Sequence, residues 1–140
     1  MSHHPSRRIF LGRSSGAAAT LLLPTGLSAA KRSPNEVPSL AAVGVGGKGW
    51  TDSNGAARAG NIVAICDVDD QPDGRRGGLG KAARQWPKAR RYTDWRVMLE
   101  KEKDLDGVTV STPDHMHAPI TMTALRQGIA TYTQKPLTRT

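Results

Sequence analysis

The chain has 140 residues, enough for one domain and not for two. It carries 20 Lys and Arg against 12 Asp and Glu, a formal net charge of +8, with 37% hydrophobic and 4% aromatic residues, a lean composition that still lies above that of a disordered chain. A single cysteine, Cys66, excludes an internal disulfide framework and every multi-cysteine zinc or iron–sulfur pattern, and the apolar runs are far too short to span a membrane.

In chain order, residues 1–30 read as an export signal. Ser6-Arg7-Arg8-Ile9-Phe10-Leu11-Gly12 resembles the twin-arginine pattern S-R-R-x-F-L-K, with Gly12 in place of the lysine. The apolar run Ala17–Leu23 is broken by Pro24, which suits a cleavable segment, and Ser28-Ala29-Ala30 places cleavage near Ala30. The resemblance implies export in the folded state, often with cofactor bound, to the periplasm or another extracytoplasmic space. A lone cysteine avoids mispairing in an oxidising compartment. Removing this segment takes away Arg7, Arg8 and Arg13 and no acid, so three of the positive charges say nothing about the mature protein.

Residues 31–38 form a polar linker containing Pro34 and Pro38, and a single domain is expected over 39–140. Five strand-like runs follow: 39–43, 61–66, a weaker one around Arg91-Tyr92, 107–111 and 129–133. Helix-compatible stretches lie between them at about 49–59, 80–86, 94–103 and 116–127. Asp94 is positioned to cap the third of these, and Gly128 sits where a helix C-terminal glycine belongs. Short apolar strands alternating with helices predict an α/β fold with a doubly wound parallel sheet.

Between the first strand and the first helix, Gly44-Val45-Gly46-Gly47-Lys48-Gly49 matches G-x-G-x-x-G at Gly44, Gly46 and Gly49, with Gly47 inside the loop. The first glycine permits the tight turn, the second lets a pyrophosphate approach the backbone, and the third allows close packing of helix on strand. Amides at the helix N-terminus then face the phosphates. Asp67 closes the second strand 18 residues after Gly49, where a carboxylate accepts from adenosine ribose hydroxyls. No Gly-Lys-Ser/Thr closes the pattern, which excludes a P-loop. A carboxylate at Asp67 repels a 2′-phosphate and favours NAD. Arg75 and Arg76 are close enough in sequence to serve NADP as the alternative.

Thr112-Pro113-Asp114-His115-Met116-His117 follows the fourth strand and Gln134-Lys135-Pro136-Leu137 the fifth. With Gly44–Gly49 and Cys66-Asp67-Val68-Asp69, these segments resemble the N-terminal half of the Gfo/Idh/MocA oxidoreductases over residues 39–140. The family's T-P-N-x-x-H places His117 at the histidine and Asp114 at the asparagine. Its E-K-P becomes Gln134-Lys135-Pro136, which keeps the lysine and removes a carboxylate. The resemblance implies a Rossmann domain that binds the dinucleotide through Gly44, Gly46, Gly47, Gly49, Asp67, Thr112, Pro113, His117, Gln134 and Lys135. Lys135, at a strand end where open sheets bind ligands, is the candidate catalytic residue: a cation beside the nicotinamide polarises a substrate hydroxyl.

Rival chemistries fit less well. Asp114, His115 and His117 are the sharper metal alternative, but near-adjacent ligands can hardly close a tetrahedral site, so no metal is expected. Cys66 reads as a small buried hydrophobe. From Arg75 to Arg91 seven basic residues occur with no acid, but only Trp86 and Tyr92 lie nearby for stacking, so a solvated face is expected and not a nucleic-acid site. The family resemblance implies a second α/β domain that forms the substrate pocket and supplies an Asp/His pair. The sequence stops at Thr140 without one, so the expectation is a cofactor half lacking its C-terminal substrate domain. Two functions remain open. One is the NAD(P)-binding half of an oxidoreductase acting on a hydroxyl-bearing carbon of a sugar or polyol. The other is a non-catalytic dinucleotide-binding module. An open sheet edge would favour a second copy of the chain as partner.

Overall fold

Short apolar runs bounded by glycine or acidic residues form strands where the sequence predicts them. The computed structural model describes residues 36–71 and 78–138. The export signal, most of the linker and Arg75-Arg76 lie outside the described residues. Five parallel strands, β1 (Ser39–Val43), β2 (Asn61–Cys66), β3 (Arg90–Tyr92), β4 (Gly107–Val110) and β5 (Ala130–Thr133), lie in the order β3-β2-β1-β4-β5. Helices α1 (Gly47–Ala56), α2 (Gly78–Gln85), α3 (Trp95–Lys101) and α4 (Asp114–Arg126) connect them in turn. This order is that of a doubly wound dinucleotide-binding sheet.

Strand periodicity sends alternate side chains to opposite faces, and each face has its own core. On one side Ala41, Val43, Val108 and Val110 pack against Met98 and Leu99 of α3 and Ile120 and Ala124 of α4. On the other, Ala42, Ile62 and Ile65 meet Leu79, Ala82 and Ala83 of α2. The register passes from Leu40↔Ile62 to Ala41↔Ala64, so Val63 is an extra residue in β2. β4 is buried throughout, whereas β3 is an edge strand of two exposed arginines and a half-buried tyrosine, which explains its weak apolar signal.

The helix ends follow local chemistry. Asp94 caps α3 by accepting from the Arg96 amide at 2.8 Å. Gly128, at φ +79°, follows α4 as the sequence predicts. At the edge, the buried Glu102 carboxylate is held by the Arg90 guanidinium through both oxygens and by the Tyr92 hydroxyl at 2.5 Å, which ties β3 to the end of α3.

Candidate dinucleotide site

β1 pairs with β2 on one side and β4 on the other, and the connections leaving these strands run to opposite faces of the sheet. A crevice opens at their carboxyl ends, the position where open α/β sheets take ligands. Its volume is about 460 Å³, and Gly44, Gly46, Asp67, Trp95, Ser111, Thr112 and Pro113 are among its walls.

The glycine loop is built by close approach. Gly44 has φ +77°, and a Cβ there would stand 2.6 Å from the Ser111 carbonyl oxygen. A Cβ on Gly49 would reach 1.7 Å from the Gly44 carbonyl oxygen, so α1 can seat on β1 only with glycine at this turn. Gly46 is different. Its φ of −86° and ψ of 169° suit any residue, and an added Cβ would meet only ordinary contacts, the nearest 3.4 Å away. The protein itself would tolerate a side chain at Gly46, which points to the space in front of it as the reason for glycine. Gly46 is also the N-cap of α1 with no side-chain cap, and no acidic residue occupies the first turn, an arrangement suited to an incoming anion.

Asp67 is more deeply engaged than its sequence position suggests. One carboxylate oxygen, Oδ2, accepts from the amides of Val45 at 2.8 Å and Gly46 at 3.2 Å, and Oδ1 accepts from Asp69 at 3.0 Å. The carboxylate therefore holds the glycine loop to the end of β2. With about four lone-pair directions on a carboxylate, one remains for a ribose hydroxyl.

The Thr112-Pro113 turn forms the crevice wall beyond β4. His117 is not among the residues that line it. It lies on the buried face of α4, 1% exposed, with Nδ1 at 2.6 Å from the Pro136 carbonyl and Nε2 at 2.8 Å from the Thr112 carbonyl. His117 thus bridges the turns after β4 and β5 and positions both. The same contacts leave neither ring nitrogen for a metal, and no metal-binding cluster occurs among the described residues. Gln134 and Lys135 directly follow β5, Gln134 half-buried and Lys135 exposed. The Gln134 amide bonds the Val110 carbonyl at 2.9 Å, which extends the β4–β5 ladder to the foot of this turn.

Sequence reasoning missed two parts of the site. Trp95 lines the crevice together with Thr93, the residue after β3. The rule that ligands gather at strand carboxyl ends could have flagged Thr93. Asp52 on α1 is the other. Its side chain is 4% exposed, yet it meets Lys48, Ser111 and Gln134. The i,i+4 spacing from Lys48 was its only local signal.

Cys66 is buried, and burial followed by the charges of Asp67 and Asp94 pushes its thiol up to about 12, as suits a structural residue. Among the described residues the basic run is dispersed. Lys81 stacks 3.8 Å over the Trp50 ring, Arg90 pairs with Glu102, and Lys88 and Arg91 are exposed on the surface. No helix among the described residues is long and apolar enough to cross a membrane.

The crevice fits a dinucleotide on its own chemistry. Two buried polar atoms of wall residues, the Thr112 hydroxyl and the Trp95 indole N–H, lack a partner among the described residues, and Gly46 keeps open a space the protein does not need. Comparison with known proteins agrees. The family model described as oxidoreductase family, NAD-binding Rossmann fold, matches residues 40–140. A glycosyl hydrolase family 109 protein of Stenotrophomonas maltophilia is 32% identical over 131 residues, which covers 89% of this chain and 28% of that protein. A levoglucosan dehydrogenase of Pseudarthrobacter phenanthrenivorans is 35% identical over 60 residues, 43% of this chain and 15% of that one. The fold matches scyllo-inositol dehydrogenase from Lactobacillus casei, solved with NAD(H) and scyllo-inositol, with a TM-score of 0.65 at 19% identity, over 75% of this chain and 30% of that one. The chain spans under a third of the length of these relatives. It belongs to the Gfo/Idh/MocA oxidoreductase family and corresponds to that family's NAD-binding Rossmann domain.

Proposed function

We propose that this chain is the cofactor half of an exported enzyme that moves a hydride between NAD and a hydroxyl-bearing carbon of a sugar or polyol. One observation carries the reading: the Asp67-anchored glycine loop and the turns holding Thr112 and Lys135 all stand at the carboxyl ends of one sheet. Bound there, the nicotinamide supplies the hydride acceptor and donor. Asp67 accepts from a ribose hydroxyl and disfavours a 2′-phosphate, which selects NAD over NADP. Gly46 and the first turn of α1 receive the pyrophosphate, and Thr112 and Pro113 border the nicotinamide ribose. Gln134 sets the base of the final turn, and the exposed ammonium of Lys135 polarises the reacting hydroxyl. The sugar sits in a second domain, for which the relatives' greater length leaves room. The Arg7-Arg8 signal accounts for export.

The test is titration of the 140-residue chain with NAD and NADP, read by quenching of Trp95 and Trp50. Saturable NAD binding that weakens for NADP supports the assignment, and a folded sample that binds neither overturns it. The longer match, to a glycosyl hydrolase, favours a second reading, in which the hydride is returned within one turnover and a glycoside is cleaved. Assayed on a polypeptide of the relatives' full length, a dehydrogenase accumulates reduced cofactor with substrate. A glycosidase releases sugar with no net change in cofactor.

A further inference from the structure

Asp52 is a nearly buried carboxylate whose i,i+4 pairing with Lys48 accounts for only one of its oxygens. It stands on the second turn of α1, and its Oδ2 accepts from two residues remote in sequence, the Ser111 hydroxyl at 2.8 Å and the Gln134 side-chain amide at 2.9 Å. Its Oδ1 accepts from the Lys48 ammonium at 2.6 Å. It therefore joins the glycine-loop helix to the segment after β4 and the segment after β5. Ser111 lines the crevice, and Gln134 immediately precedes Lys135.

The polarity of this contact is determined. A carboxylate only accepts, so the Gln134 NH2 must face Asp52, and its carbonyl Oε1 then faces the Lys135 backbone amide, 3.2 Å away. One side chain thereby relays the position of α1 to the backbone of Lys135. From the other side, His117 meets the Pro136 carbonyl. The turn is pinned at residues 134 and 136, and Lys135 stands between the pins.

We propose that Asp52 is a positioning residue for the Lys135 turn, matched in hydrogen-bond polarity to glutamine at position 134. The inference rests on the cofactor reading above for its functional consequence. A glutamate at 134 would still accept from the Lys135 amide but would set two carboxylates against each other in a nearly buried site. The groups facing Asp52 are the Lys48 cation, the Ser111 hydroxyl and the Gln134 amide, with the Tyr132 phenol on β5 close enough to act on Lys48. Burial pushes the Asp52 carboxyl up, and the hydrogen bonds from Lys48, Ser111 and Gln134 outweigh it and hold the group below the usual carboxylate range. The native site therefore has no proton to share near neutrality. In a Gln134→Glu variant two carboxylates in contact repel while both are ionised, and the pair takes up a shared proton as pH falls.

The experiment compares the parent chain with Gln134→Glu and with the double variant Asp52→Asn/Gln134→Glu. NAD affinity, by tryptophan quenching, and the melting temperature are followed from about pH 4 to about pH 8, a range that spans the ordinary carboxylate value and one raised by a like charge. The parent's affinity should be nearly flat with pH. Gln134→Glu should bind about tenfold more weakly at the upper pH, a loss in the range of contact coupling, and recover at the lower as a shared proton restores the bond. In the double variant the new side-chain amide at position 52 donates to the new carboxylate at position 134, and affinity should return to within about twofold of the parent without the pH dependence. Gln134→Glu behaving as the parent at both pH values, or a double variant no better than the single with a native melting curve, overturns the proposal. Failure of the parent to bind NAD counts against the cofactor reading instead. The melting temperatures then decide the Asp52–Gln134 match alone: a pH-dependent loss in Gln134→Glu that the double variant repairs supports it, and its absence overturns it.

Discussion

Replacing Asp67 with asparagine separates the two tasks this residue carries. The carboxylate uses one oxygen for the amides of Val45 and Gly46 and the other for the amide of Asp69. Asparagine has one acceptor oxygen, so whichever way it turns, an NH2 group faces backbone donors. The mildest outcome sacrifices the Asp69 contact, and the other orientation sacrifices two loop contacts. Hydrogen bonds to a charged group contribute about 1.5–3 kcal/mol each, less at a half-exposed site, so a loss of about 2 kcal/mol is expected. For a domain of this size that lowers the melting temperature by about 10 °C. NAD affinity should fall as well, because the glycine loop loses its anchor and the ribose loses an ionised acceptor. Thermal denaturation followed by circular dichroism, with NAD titration on the same samples, measures both. An Asp67→Asn chain that melts with the parent refutes the anchoring argument. One that binds NAD as tightly refutes the ribose assignment.

Three further outcomes follow from the packing. Gly49→Ala places a Cβ 1.7 Å from the Gly44 carbonyl, where backbone meets backbone and no rotamer relieves it, so a loss of at least about 3 kcal/mol is expected. Loss of the cooperative melt, or of soluble protein, would show it. Cys66, its thiol pushed up to about 12, should resist iodoacetamide in the native chain at about pH 8 and react once the chain is unfolded. Glu102 is held below its ordinary 4.5 first by the Arg90 hydrogen bond, against burial, with Tyr92 assisting. A depressed carboxyl stabilises the fold above the unfolded value, and this contribution is lost as pH falls through the folded one. Glu102→Gln should accordingly melt lower than the parent near neutrality and lose less stability on acidification from about pH 5 to about pH 3.

Local chemistry made most of the scaffold legible. β1 and β2 are apolar runs stopped by Gly44 and Asp67, and their bounds agree with the sequence reading to the residue. The Asp94 cap and Gly128 marked helix ends because their roles depend on residues within one turn. β3 was faint because an edge strand paired to one neighbour needs no apolar face, so Arg90-Arg91-Tyr92 carries little pattern.

The sequence alone determined the α/β class, the dinucleotide loop and the placement of Asp67, Thr112-Pro113 and Lys135 at strand ends, since each rests on periodicity or short spacing. Only the tertiary structure decided what several of these residues touch. It placed His117 as a bridge between two turns, and made Asp67 the anchor of the glycine loop as well as a candidate ribose acceptor. It also revealed Asp52, whose partners Ser111 and Gln134 lie 59 and 82 residues away. The physical reason is range. Backbone preference and hydrophobic alternation act over a few residues and leave a trace in the sequence. A buried polar group finds its partner across the sheet, and that partner is settled only when β1, β4 and β5 align.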